Sequence, residues 1–254
     1  MILGSTRNNI NILSLFFSIS SILGLAYFNF NLNNILITFC SFYILNILGN
    51  WMTLHRYYAH KSFEFKTVFL KTFFTLLALL SGRGSILGWT YIHRTHHAYS
   101  DTEKDPHSPN MLGFKLFGFD HYKKLEEDGF KIFLVKDLIT KDQLFYHKYY
   151  LLIILLFITL LSYINIEVLY FAYIVPCFLV QLSQNTFNYF GHVVGYRNFD
   201  IKDNSRNNPY LFLLILGECW HNNHHASPKN YTTSGAKYEI DPLKNFIRLV
   251  GNVN

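Results

Sequence analysis

Charge is what this sequence has least of. Of its 254 residues 15% are Asp, Glu, Lys or Arg and 50% are hydrophobic, too apolar for an ordinary soluble domain of this size. No charged residue occurs between Arg7 and Arg56, and Glu167 is the only one between Tyr149 and Tyr196. Cysteine is sparse too. Cys40, Cys177 and Cys219 stand far apart without a C-x-x-C pair, so they are expected as buried, reduced thiols. No Pro/Gly/Ser linker, repeat or low-complexity tract divides the chain, so residues 1–254 read as one domain. No nucleic-acid motif is present. The net charge of +6 therefore reads as positive-inside membrane topology rather than a nucleic-acid surface.

The charge-free runs supply the membrane architecture. A bilayer core of about 30 Å takes roughly 20 apolar residues per helix. The first run is long enough for two passes, near 10–28 and 35–54, turning at the Asn-rich stretch Asn29 to Asn34. The second divides into spans near 149–165 and 169–190, with Glu167 in the turn and Pro176 as a possible kink. Arg7 before an apolar stretch resembles a secretion signal. No small-x-small cleavage site stands out, however, and a second span follows at once, so a retained anchor is expected.

Residues 62–81 are greasy but interrupted by Lys66 and Lys71. One crossing there would put a bilayer between His60 and His93, and two need about 40 residues. An amphipathic helix lying in the interface meets both limits. Residues 98–148 mix both charge signs and read as solvated helix and loop. The tail over 238–250 reads as a short amphipathic helix docked on the same face. The expected fold is therefore all-α and integral to the membrane: four transmembrane helices, interfacial helices and a histidine-rich cap. Most Lys and Arg lie between 55 and 150, which makes the capped face, with both termini, cytosolic. A bacterial inner membrane and the endoplasmic reticulum fit equally.

Histidine is what is abundant. His93, His96 and His97 are spaced i, i+3, i+4, on one face of a helix. His221, His224 and His225 repeat that spacing. His55 and His60, at i, i+5, lie roughly 140° apart on an ideal α-helix, so they converge only where the helix ends or bulges. Asn188 and His192 share a face at i, i+4. Nine of the twelve histidines thus fall in four groups at helix ends on one side of the membrane. Polar groups near lipid are costly unless paired, coordinated or hydrated, and nine imidazoles with a water fit two metal ions better than one. Imidazole suits iron, copper and zinc alike.

The H-x4-H, H-R-x-H-H and H-N-x-H-H boxes resemble those of the membrane fatty acid desaturases, nearest the stearoyl-type delta-9 branch. Leu54 to His60, His93 to Pro106, Gly195 to Arg197 and Gly217 to His225 carry the resemblance, which spans about Gly49 to Val250. It implies two irons held by His55, His60, His93, His96, His97, His192, His221, His224 and His225. Asn188 would hold one iron through a water. It also implies removal of two hydrogens from a saturated acyl chain, with O2 and two electrons, to leave a cis double bond. The chain would be carried by CoA, acyl carrier protein or a lipid. Electrons would come from a separate cytochrome b5 or ferredoxin type of donor, because no such module is fused here. Where the animal acyl-CoA enzymes carry charged residues before the second box, this chain has Tyr91 and Ile92.

Asp101, Asp105 and Glu218 are candidates to orient ligand imidazoles, and His107 to stand behind them or meet a head group. Trp51, Trp89 and Trp220 are candidate interface anchors, Trp89 and Trp220 also candidate tunnel walls. His121 and His147 are expected on the surface. Related diiron hydroxylases or acetylenases would use the same oxidant. A metal transporter or sensor is the rival from another class, but its ligands belong near the bilayer midplane rather than at helix ends.

Overall fold

A computed structural model of the chain describes residues 2–118, 122, 125 and 127–253. It is mostly helical. Among the described residues three helices are long and apolar enough to cross a bilayer. They are α1 (Ile2–Leu25), α2 (Leu32–Ala59) and, further along the chain, Ile166–Val193. A fourth span exists if Lys141–Lys148 and Tyr150–Ile164, bent by 62° against each other, count as one. Tyr150–Ile164 alone rises about 22 Å at 1.5 Å per residue, short of a 30 Å core, which is why the count rests on its bent neighbour.

Helix α1 is built inside out relative to a soluble helix. Leu3, Thr6, Ile10, Leu13, Phe17, Ser21 and Gly24 face inward, a stripe rich in small residues, while Ile12, Leu15, Ile19, Ile22 and Leu23 are exposed. Small residues at the contact and large apolar ones outside are the pattern of helices packed in lipid. The turn after α1 falls at the asparagines, as expected. Asn31 Oδ1 caps α2 by accepting from the Asn34 N–H (3.0 Å), and Asn34 Nδ2 donates to Asn29 O.

From Ile44 to Ala59, α2 is a π-helix. A short β1 (Glu64–Phe65) follows, then helix α3 (Val68–Leu80), capped by Thr67. Val68, Phe69 and Phe73 point outward from α3, which suits a helix lying in an interface. It starts later than the sequence pattern suggests because β1 pairs antiparallel with β2 (Gly251–Asn252) at the chain's end. Helix α4 (Ile86–Tyr99) is capped by Ser85, whose Oγ accepts from the Gly88 N–H. Gly88 lets α1 approach: a Cβ there would lie 2.4 Å from Thr6 Oγ1.

After α4 the chain runs through short helical turns to α5 (Lys141–Lys148), α6 (Tyr150–Ile164) and α7 (Ile166–Val193). Residues 98–148 are less solvated than their composition suggests. Asp105, His107, Ser108, Leu116, Leu134, Val135 and Leu138 are buried. Glu167 starts α7 rather than sitting in a loop, and accepts from Asn34 Nδ2 at 2.7 Å. Pro176 does disturb α7, one turn early: Tyr170–Ile174 is a π stretch, consistent with the missing proline N–H shifting the backbone ladder. Buried polar contacts join the long helices. Tyr170 Oη donates to Ser21 O, and Asn50 Nδ2 donates to Gln184 Oε1 at 3.0 Å.

The C-terminal part holds α8 (His221–Ala226) and the amphipathic α9 (Pro242–Val250), which buries Leu243, Ile247 and Val250 against the rest. Cys177 and Cys219 are buried and free, whereas Cys40 is exposed on the outer face of α2, contrary to expectation. Trp51, Trp89 and Trp220 are buried rather than at an interface. His147 also departs from expectation. It is buried, with Ser85 Oγ at 2.6 Å from Nδ1 and Ser5 Oγ at 2.8 Å from Nε2. His121 lies outside the described residues.

Candidate metal centre

The π-helix solves the first histidine box. A π ladder links i to i+5, and the His60 N–H donates to His55 O at 3.1 Å. The two rings, which an α-helix would splay apart, sit with centroids 4.8 Å apart. Arg56, between them, is fully buried, with Nε donating to Glu218 Oε1 (2.6 Å) and the Nη atoms to both oxygens of Asp241 (2.8 and 3.0 Å). Glu218 Oε2 lies 3.0 Å from His55 Nδ1. The helix end is therefore tied to the loop that precedes α8.

The boxes on α4 and α8 are shared between two groups. His55, His60, His93, His97 and His224 bring one ligand atom each within 4.8 Å of one another, and His96, His192, His221 and His225 do likewise. In α4 the i, i+4 pair enters the first group and His96 the second. In α8 the i, i+4 pair enters the second group and His224 the first. All nine histidines singled out from the sequence are brought together.

Carboxylates stand behind the rings. His96 Nδ1 is 2.9 Å from Asp105, His192 Nδ1 2.9 Å from Asp101, and His225 Nδ1 2.8 Å from Asp203. With Glu218 on His55, three of these four acids are the expected Asp101, Asp105 and Glu218. Asp203 is new. Asp101 takes φ +60, a left-handed conformation that Asp tolerates better than most residues. It accepts from the Asn204 N–H as well. Burial is the largest single influence and works against its charge, but His192, the Asn204 N–H and His96 together outweigh it and hold the carboxyl at about 2.

The donor chemistry fits metal ions. An Nδ1–H given to a carboxylate leaves Nε2 with a bare lone pair. With Asp105 and Asp203 ionised, His96 and His225 would both be in that state, and their Nε2 atoms face each other at 3.3 Å. Two lone pairs at that distance repel unless a cation lies between them. Nε2 of His224 likewise faces those of His55 and His97, each at 3.1 Å, and His192 faces His221 at 3.0 Å. Burial first, then neighbouring imidazoles, pushes His60, His93, His96, His97, His221 and His224 well below the ordinary histidine value. They are neutral at pH 7, as ligands must be.

Other expected residues are placed as follows. Trp89 stacks on His93 (centroids 5.0 Å, planes 9° apart). His107 stacks on His96 at 4.2 Å and, with His96 and Asp105, forms a smaller group of possible ligands. Asn188 lies one turn before His192, accepts from Gln184 Nε2 at 2.9 Å and lines a cavity with His93. Trp220 is turned away, its Nε1 donating to Ile240 O. Asn222 and Asn223 of the third box anchor α8. Asn222 accepts from the Asn198 and Phe199 N–H groups, and Asn223 Nδ2 donates to Glu239. Sequence reading missed Asp203, Glu239, Asp241 and the role of Arg56. The three acids meet the site from distant loops, where no spacing rule applies, and Arg56, though inside the first box, finds its partners Glu218 and Asp241 only through the fold.

Outer carboxylates are worth about 10–100-fold in metal affinity. Asp203→Asn should weaken metal retention by about that factor while leaving the helical content unchanged, read by chelator competition.

A helical apolar scaffold holding two histidine groups backed by carboxylates defines a histidine-rich metal-binding membrane protein class. Comparison with known proteins narrows it: the model of the fatty acid desaturase family matches residues 31–233, and the chain belongs to that family. It is 31% identical over 219 residues to the hex-5-enoyl-[acyl-carrier protein] acetylenase of Moorena producens, covering 78% of this chain and 68% of that protein. To delta-9 acyl-lipid desaturase 1 of Arabidopsis thaliana it is 31% identical over 222 residues (82% and 70%), and to stearoyl-CoA desaturase 5 of Bos taurus 29% over 226 residues (82% and 65%). Family membership makes the protein an oxygen-dependent oxidoreductase acting on acyl chains, and the histidine clusters are suited to the metal this chemistry needs.

Proposed function

We propose that the protein is a multi-pass membrane diiron desaturase that places a cis double bond in a saturated acyl chain. One iron would belong to His55, His60, His93, His97 and His224. The other would belong to His96, His192, His221 and His225, with Asn188 reaching it through a water. The observation that carries this reading is the division of nine imidazoles into two adjoining groups, with opposed Nε2 atoms about 3 Å apart. Two irons held there would supply the O2 chemistry that removes hydrogen from an unactivated methylene. In balance, the chain loses two hydrogens, and O2 with two electrons and two protons becomes two waters.

The residues have separable tasks. The neutral imidazoles would present lone pairs; Asp105, Asp101 and Asp203 would fix the tautomers of the rings they touch, and with Glu218 would offset the metal charge. Trp89, Gln184 and Asn188 lie beside His93, where they would help keep bulk water from the reacting carbons. The whole chain would act as one domain with four crossings. Both termini and the histidine cap would face the cytosol, following the concentration of Lys and Arg between 55 and 150. Electrons would arrive from a separate cytochrome b5 or ferredoxin type of donor, and the acyl group on CoA, acyl carrier protein or a lipid. The acetylenase relative gives a second outcome from the same oxidant: a triple bond in a chain already unsaturated.

Expression in a desaturase-deficient host should yield new unsaturated acyl chains, with O2 uptake that depends on acyl substrate and reductant. Mass spectrometry of the products separates alkene, alkyne and alcohol. An unchanged acyl profile together with substrate-independent O2 uptake would refute the reading.

A further inference from the structure

Arg83 sits in the turn between α3 and α4 and is buried. Its setting differs from that of the other arginines at the site. Arg56 spends its donors on Glu218, Asp241 and Tyr231 O, and Arg94 on Asp137 and three carbonyls. Arg83 has a hydrogen bond with the Tyr122 hydroxyl, and Tyr150 nearby. Its Nε has no partner, and among the described residues no carboxylate faces it. A buried donor without an acceptor points to something that binds there.

Two small cavities meet at this side chain. One reaches the histidine cluster, walled by Trp89, His93, Gln184 and Asn188. The other lies between α1 and α7, walled by Ile10, Ser14, Gln181 and Asn185. Each is about 10 Å³, space for a single water, and Arg83 stands between them. Amides and a guanidinium are poor company for methylenes. A plain hydrocarbon lying against this side chain would cover Nε and leave it without an acceptor, a loss that a chain bearing an oxygen at that point avoids.

We propose that Arg83 is a specificity-determining residue that hydrogen-bonds an oxygen acceptor carried by the acyl substrate beside the histidine cluster. This rests on the acyl-oxidising reading above. The acceptor has two possible sources: the thioester or ester carbonyl of a short chain, or an oxygen within a longer one. Either selects against unsubstituted long chains, and both follow from the same unpaired donor.

The test uses the full, iron-loaded protein in lipid nanodiscs with uncharged probes: N-acetylcysteamine thioesters of hexadecanoate, of octanoate and of a positional series of oxohexadecanoates. Binding is read by competition in native mass spectrometry, and turnover with reductant by product analysis. The wild type should bind octanoyl, or one oxo isomer, at least ten-fold more tightly than hexadecanoyl. Preference for octanoyl identifies the head-group carbonyl as the source, and preference for an oxo isomer an in-chain oxygen. Arg83→Leu should remove the preference at unchanged iron content, and Arg83→Gln should keep part of it. Should Arg83→Leu lose its fold, Arg83→Gln and Arg83→Met make the same comparison. Hexadecanoyl binding as tight as every other probe, or a ratio unmoved by the variants, would overturn the proposal. Absence of oxidation of any probe would instead count against the desaturase reading, while the binding ratio would still report on Arg83.

Discussion

His224→Ala should lose both bound metal and product formation, by more than about 100-fold in activity. Supporting carboxylates alone are worth about 10–100-fold, and His224 is no support. Its Nε2 faces those of His55 and His97 at 3.1 Å each, so its removal opens the centre of the five-membered group. Iron measured by plasma mass spectrometry should fall along with unsaturated product. His147→Ala is the matched control. That histidine is also buried, but its ring contacts Ser5 and Ser85, so iron should stay. Equal iron and product in His224→Ala and wild type would remove His224 from the metal site.

Arg56→Met should be the most damaging change at a residue outside the histidine boxes' ligand set. The guanidinium neutralises Glu218 and Asp241, and the side chains of Arg56 and Glu218 are each 1% exposed. Deleting one partner of a buried pair costs about 3–5 kcal/mol because the other charge stays buried and unpaired. For a chain of this size that lowers the melting temperature on the order of 10 °C. Asp241 would feel it directly. Burial favours its protonation, and Arg56 holds it below the usual carboxylate range. His55 would also lose the partner that fixes Glu218 behind its Nδ1, so iron should fall along with stability. Adding Glu218→Gln and Asp241→Asn to Arg56→Met should recover part of the melting temperature but not the iron. An Arg56→Met protein that melts like the wild type would show that the buried charges find other partners.

What the sequence made legible follows from periodicity. Charge-free runs located the long helices, and the i, i+3, i+4 histidines located α4 and α8, because both signals are local. The His55/His60 spacing announced an irregular helix without saying which kind. The answer is a π ladder packed against α3, where a Cβ on Gly49 would lie 2.9 Å from the Leu77 carbonyl oxygen. The division of each box between two groups was hidden, since three residues on one helical face look equivalent until a second helix approaches. Asp203 was hidden because a loop residue 22 positions from its histidine leaves no periodic trace. His147 was misplaced because a mixed-charge segment hides the few residues that turn inward.

The interleaving of α4 and α8 has a consequence for assembly. Neither group can be completed by one helix, and seating a metal in either draws the same two helices together. On the diiron reading the two sites would be thermodynamically coupled, the first ion meeting the ordering cost for the second. Limiting iron should therefore produce a mixture of empty and doubly loaded molecules, with few holding a single ion.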